Sequence, residues 1–99
     1  MSMETDVLLV LGSSADEKYL AKCVGTLKRM GIHYAIRVAS AHRSPNRILD
    51  ILKEFSGAKV FIAFAGHAAH LAGVLAAHTT VPVLAVPLPS SDLHGLDAL

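Results

Sequence analysis

Apolar residues are gathered along this chain into four short runs: VLLVL (7–11), YAIRVA (34–39), VFIAF (60–64) and VLAV (83–86). Short continuous runs of four to six such residues read as strands. The first and third are apolar enough to lie buried on both faces. The second carries one charge, Arg37. Between the runs the period changes from continuous to steps of three and four. Leu20, Cys23, Val24, Leu27 and Met30 form one helical stripe, with Lys28 and Arg29 in the last turn and Gly31 at the C′ position. Ser14 and Glu17 have the spacing of a capping box at the start of that helix. Ser44 can cap a second helix with Pro45 at its first position, since proline has no amide hydrogen to lose there. Ile48, Ile51, Leu52 and Phe55 supply its apolar face, and Gly57 stops it. The small-residue stretch from Ala65 to Gly73 turns into a short third helix ending near His78.

This alternation of strand and helix requires right-handed crossovers and a parallel sheet covered by helices. The expected fold is a flavodoxin-like three-layer α/β/α sandwich with strand order 2-1-3-4. Residues 1–99 make a single α/β domain. In such sheets all strands end on one edge, where ligands bind. That rule collects GSSAD (12–16), SAHRS (40–44), AGHAAH (65–70) and PSSD (89–92) into one rim.

Composition sharpens this picture. The chain is 53% hydrophobic and 17% charged, without tryptophan, which is apolar for a lone small globule. Faces buried against other subunits or within a larger parent domain would account for the excess. A net charge of +1 and the lack of a basic stripe argue against nucleic acid. The N-terminal MSMETD has no basic region, so no signal peptide is expected. His70, His78, Thr79, Thr80 and Pro82 interrupt the most apolar window, 68–87, so no membrane span is expected. The single cysteine, Cys23, lies on a helical stripe and suits packing in a reducing compartment. The expected location is the cytoplasm.

The rim residues suggest chemistry. Gly12 permits a tight turn, and free helix amides with the Ser13 hydroxyl can hold a phosphate. Asp16 would repel that phosphate and fits better as an acceptor for a sugar hydroxyl. The competing reading is that Ser13, Ser14 and Asp16 only cap the helix, and the stretch alone does not decide between them. In SAHRS, Arg43 can clamp a phosphate and His42 titrates near neutrality. A solvated loop pair is the alternative, weakened by their position directly after a strand. His67 and His70 are three apart, but no third ligand stands at metal spacing, so a metal site is the poorer reading. The alanines and glycines around them let a flat ring approach the backbone. His33 and His78 lack such a setting and read as structural or exposed. No nucleophile with a neighbouring base and no Walker lysine is evident. The chemistry implied is proton transfer by His42 on a phosphorylated, nucleotide-sized ligand, without a cofactor.

At these residues the chain resembles the N5-carboxyaminoimidazole ribonucleotide mutase family of purine biosynthesis. GSSAD is similar to that family's GSxSD, SAHRSP to SAHRTP, and AGHAAHLAG to AGGAAHLPG; VPVLAVPLPSSDLHGLDAL follows its fourth-strand region. The resemblance runs from Val7 to Leu99, and SAHR followed by AAHL is a specific combination. It implies that Ser13, Asp16 and Arg43 hold the ribose phosphate, with Ser40 assisting. It implies His42 as the general acid and base and places His70, the second catalytic histidine, in the loop that closes over the ring. Gly12, Ala65, Gly66, Ala68 and Leu71 would complete the substrate-binding set. No metal and no organic cofactor is implied, and the partners are a small aminoimidazole ribonucleotide and further copies of the chain, eight in the family. Family members also continue beyond the counterpart of Leu99, so the resemblance makes this chain the N-terminal part of a longer domain. The related direct carboxylases have lysine after SAH, where this chain has Arg43. Ala15, His67 and Ala72 depart from the family's usual serine, glycine and proline. A catalytically silent binding or assembly module and a direct aminoimidazole ribonucleotide carboxylase are the alternatives.

Overall fold

The computed structural model describes residues 4–40, 45–65 and 70–88; for Ser14, Ala15, Asp16, Pro45, Ala65 and His70 it describes the backbone course. The chain runs β1 (Val7–Leu11), a 3-10 helix (Ser14–Tyr19), α1 (Ala21–Arg29), β2 (Tyr34–Val38), α2 (Pro45–Glu54), β3 (Val60–Ala65), α3 (His70–Ala77) and β4 (Val83–Pro87). The four strands form one parallel sheet in the order β2-β1-β3-β4. Val7 sits beside both Tyr34 and Val60, and Leu11 beside both Val38 and Phe64, so the three strands end level with one another.

The strand period of two divides the sheet's side chains between two cores. Leu8 and Val10 of β1 and Phe61 and Ala63 of β3 face α2 and α3, where Ile48, Ile51, Leu52, Phe55, Leu71 and Leu75 pack. Val7, Leu9, Leu11 and Phe64 face the other way, toward Leu20 and Leu27. All five residues of β1 are buried, as its apolar run predicts. The apolar face expected of α2 is the one observed, from Ile48 to Phe55.

The start of the first helix differs from expectation. A 3-10 helix covers the Ser14–Glu17 spacing, and α1 begins only at Ala21 with Leu20 at its N-cap and no side-chain cap bond. The tighter 3-10 winding rotates the chain before the stripe engages the sheet. Leu20 and Leu27 are buried and Cys23 and Val24 partly so, whereas Met30, the last residue of the expected stripe, is exposed. Met30 is the C-cap, where the chain has begun to leave the helix. The stop itself is as expected. Gly31 has φ of 69°, its amide donates to the Lys28 carbonyl, and the Ile32 amide donates to the Leu27 carbonyl at 3.0 Å. Together these bonds make a Schellman motif, completed by Ile32 packing into the same core as Leu27.

The charge on β2 is accommodated at the sheet edge. Arg37 lies over the Phe55 ring, 4.7 Å from its centroid, and pairs with Glu54 at 3.3 Å. The α1 side of the sheet is left more open toward its β4 edge. Leu84, level with Ile62, is 56% exposed there. No helix among the described residues is long and apolar enough to cross a membrane.

Candidate functional site

The carboxyl edge of the sheet is knitted together beyond the strands themselves. The Gly12 amide donates to the Phe64 carbonyl at 3.2 Å, and the Ala39 amide donates to the Leu11 carbonyl at 2.8 Å. These bonds fix the points at which three connections leave β1, β2 and β3. Adjacent strands lie roughly 4.8 Å apart, so Gly12, Ser40 and Ala65 stand on neighbouring strands of one rim. Ser13 is exposed on it and Ser40 is half-buried.

The structure therefore brings together Gly12, Ser13, Ser40 and the backbone of Ala65. The backbone of Asp16 lies in the 3-10 helix that follows β1, and that of His70 opens α3. His42, Arg43, Gly66, Ala68 and His67 lie outside the described residues, as do the expected cap Ser44 and the PSSD segment of the rim. Leu71 is only 3% exposed and its side chain belongs to the core under α3. What it can offer a ligand is its backbone amide in the first turn of that helix. Ala72 is packed against the same core. Among the described residues no group of three histidine, cysteine or acidic side chains is placed to hold a metal ion.

One residue at this edge escaped the sequence reading. Arg47, in the first turn of α2, donates from Nε to the Val38 carbonyl at 2.9 Å, joining the end of β2 to the start of α2. The signal was available: an arginine two residues after a helix-opening proline is placed to reach back to the preceding strand. Burial pushes the Cys23 thiol up from its ordinary range, away from the rim. An open groove of about 640 Å³ runs between the C-terminal ends of α2 and α3, lined by Lys53, His78 and Thr80 among others, at the opposite edge of the sheet. His78, read from sequence as structural or exposed, is part of that groove wall.

Comparison with known families decides what this rim is built on. Residues 6–99 match the model of the family described as AIR carboxylase. The chain belongs to the AIR carboxylase family. Among curated family relatives, a Methanocaldococcus jannaschii protein named N5-carboxyaminoimidazole ribonucleotide mutase is 50% identical over 93 residues, 94% of this chain and 58% of its own length. A Saccharolobus solfataricus protein of the same name is 46% identical, over 94% of this chain and 60% of its own length. The chain thus spans about 60% of the length of these AIR carboxylase relatives. A crystal structure of Treponema denticola PurE superposes with a TM-score of 0.84 at 34% identity, covering 92% of this chain and 60% of that one. The parallel order β2-β1-β3-β4 is the flavodoxin-like arrangement expected from the sequence.

Proposed function

We propose that this chain carries the catalytic rim of an N5-carboxyaminoimidazole ribonucleotide mutase, acting in the cytoplasm in de novo purine biosynthesis. The observation that carries the reading is the level ending of β1, β2 and β3. From those ends leave the segments bearing Gly12-Ser13, Ser40-to-Arg43 and Ala65-to-His70. The mutase name of the two relatives supports it.

Ser13, Asp16 and Arg43 hold the ribose phosphate end, with Ser40 beside them, and Gly12, Gly66, Ala65, Ala68 and the Leu71 backbone admit the flat ring. His42 in its protonated form gives a proton to the carbamate nitrogen, the N–C bond breaks, and carbon dioxide is released beside the aminoimidazole. Carbon 4 then attacks the carbon dioxide, forming the C–C bond, and the proton it sheds returns to His42. The histidine ends as it began, so no net proton and no cofactor is consumed. His70, whose backbone opens α3, is the second catalytic histidine of this reading and helps confine the carbon dioxide. Within this reading the active form is a homo-oligomer, an octamer by the resemblance, and residues 1–99 contribute one α/β domain to each copy.

The test is conversion of N5-carboxyaminoimidazole ribonucleotide by the purified chain, followed by ultraviolet absorbance, beside His42→Asn. Turnover without added bicarbonate, lost in the variant, is expected. Turnover that requires bicarbonate and free aminoimidazole ribonucleotide would make it a direct carboxylase. Equal turnover in both proteins would remove His42 from the proton transfer.

A further inference from the structure

We propose that the edge of β4 pairs with the β4 edge of a second copy of this chain, antiparallel across a two-fold axis at Leu84. This goes beyond the mutase reading and does not depend on it. The sheet has two edges, β2 and β4, and the molecule treats them differently. At the β2 edge the Ala39 amide bonds to Leu11, so Ile36 and Val38 turn their amides and carbonyls outward. Both of these carbonyls are occupied: Arg37 Nη1 donates to Ile36 and Arg47 Nε to Val38, each at 2.9 Å. Two guanidiniums on an edge keep another strand away, by their charge and by taking the acceptors that strand would need.

The β4 edge has no such guard. The Phe61 amide donates to the Pro82 carbonyl at 2.9 Å, with Phe61 level with Val83. This phase turns the amides and carbonyls of Leu84 and Val86 toward β3, and those of Val83 and Ala85 outward. Among the described residues nothing bonds to these outward groups. Residues 79–88 carry no charged side chain, and Leu84 and Ala85 are exposed.

Such an edge is complementary to its own copy. Setting Val83 against Ala85 of the second copy, and Ala85 against its Val83, uses every outward amide and carbonyl of the two residues. That register puts Leu84 opposite Leu84 of the second copy, at a position without ladder bonds, where side chains approach most closely. The side chain that is 56% exposed in one copy then covers its counterpart. Pro87 has no amide to donate, which ends the pairing there. No like charges meet, whereas two β2 edges brought together would set Arg37 near Arg37 of the other copy. The 53% apolar composition, high for a lone small globule, accords with a face covered in this way. Strands this short bury less than the roughly 1,200 Å² of a standard interface, so the pair should be reversible, with a Kd of about 10–100 µM.

The experiment is sedimentation equilibrium of the full chain from about 5 to 500 µM, beside Leu84→Lys, Ala85→Pro and Met30→Lys, each checked for folding by circular dichroism. Leu84→Lys sets like charges against each other at the two-fold axis. Ala85→Pro removes one outward amide and no bond to β3, at a place where an edge strand tolerates proline. Met30, 66% exposed at the end of α1, is the apolar control away from the edge. The apparent mass is expected to rise from one chain toward two. Leu84→Lys and Ala85→Pro should each weaken association by about tenfold or more, and Met30→Lys should leave it unchanged. Deuterium exchange at the Val83 and Ala85 amides should slow as concentration rises. If one β4 variant fails to fold, the other and the exchange rates decide. A single chain at every concentration overturns the proposal. So does any assembly that a folded β4 variant leaves intact, or that Met30→Lys weakens equally. Protection of the two amides that is the same at every concentration also overturns it, because another segment of the same chain then holds the edge.

Discussion

Replacing Leu75 with alanine tests the packing that carries α3, and with it the start of the helix where His70 sits. In HLAGVLAA the fully buried anchors are Leu71 and Leu75, 3% and 0% exposed, with Val74 packed partly beside them. Leu75 packs in the core that includes Leu8, Phe61 and Ile48, beneath a helix resting on β3 and β4. Removing its three outer carbons forfeits their transfer free energy and leaves a cavity, together about 2–5 kcal/mol. A central value of about 3 kcal/mol is a large share of the roughly 5–15 kcal/mol that stabilises a typical domain. At a urea slope of roughly 1.5 kcal/mol/M the midpoint should fall by about 2 M with the slope itself unchanged. Leu84→Ala is the control, because that side chain is 56% exposed and should cost about 1 kcal/mol or less. Urea titrations followed by far-ultraviolet circular dichroism measure both. A loss below about 1 kcal/mol at Leu75, or equal losses at the two leucines, would refute the assignment of α3 to a packed core.

Further outcomes follow from other parts of the molecule. Gly31→Ala should destabilise the chain by about 1–2 kcal/mol, since its φ of 69° disfavours any Cβ while nothing lies near enough to clash; calorimetry with no shift would contradict the Schellman stop. Burial raises the pKa of the Cys23 thiol, so alkylation by iodoacetamide at neutral pH should run slower than that of free cysteine. Because the folded value lies above the unfolded one, the stability linked to this thiol is whole below the ordinary thiol range. It is lost as pH climbs through the raised value, and Cys23→Ala should remove that alkaline slope in urea midpoints measured against pH. Arg43→Ala should weaken ligand binding by about tenfold to a hundredfold, as expected for losing a charge-assisted phosphate contact. Unchanged affinity by calorimetric titration would take Arg43 out of that role.

How far the sequence disclosed this molecule depends on the physical signal at each place. Strand runs and their turns declared the sheet, because a strand buried on both faces has no other way to read than continuously apolar, as VLLVL does. Gly31 was legible because a helix stop that needs positive φ selects glycine. The start of α1 was not. A serine and a glutamate three apart serve a 3-10 turn as well as an α-helical capping box, and packing against the sheet chose between them. Met30 obeyed the helical period yet lies exposed, since periodicity does not say where the helix leaves the core. On the rim, motif words placed Gly12, Ser13 and Ser40 on one edge, but Leu71 shows that a motif position can serve the core with its side chain. Arg47 was missed for the opposite reason. Its partner is a backbone carbonyl, so only its own place, two residues after Pro45, pointed to the contact.

The bonds from the Gly12 amide to Phe64 and from the Ala39 amide to Leu11 have a dynamic consequence. Both bonds extend the pairing of the central strand β1, whose five residues are buried, onto its two neighbours. The exchange of both amides with solvent deuterium should therefore wait for opening of the whole sheet rather than for local fraying. The floor of the rim and the core then open as one cooperative unit. A ligand that requires this floor is excluded from every opened form, so its affinity is transmitted undiluted to the chain as a whole. At a hundred times its dissociation constant it would slow exchange at both amides by about a hundredfold, equivalent to about 2.7 kcal/mol. Gly12 and Ala39 thereby serve as reporters of occupancy even when no chemistry is turning over.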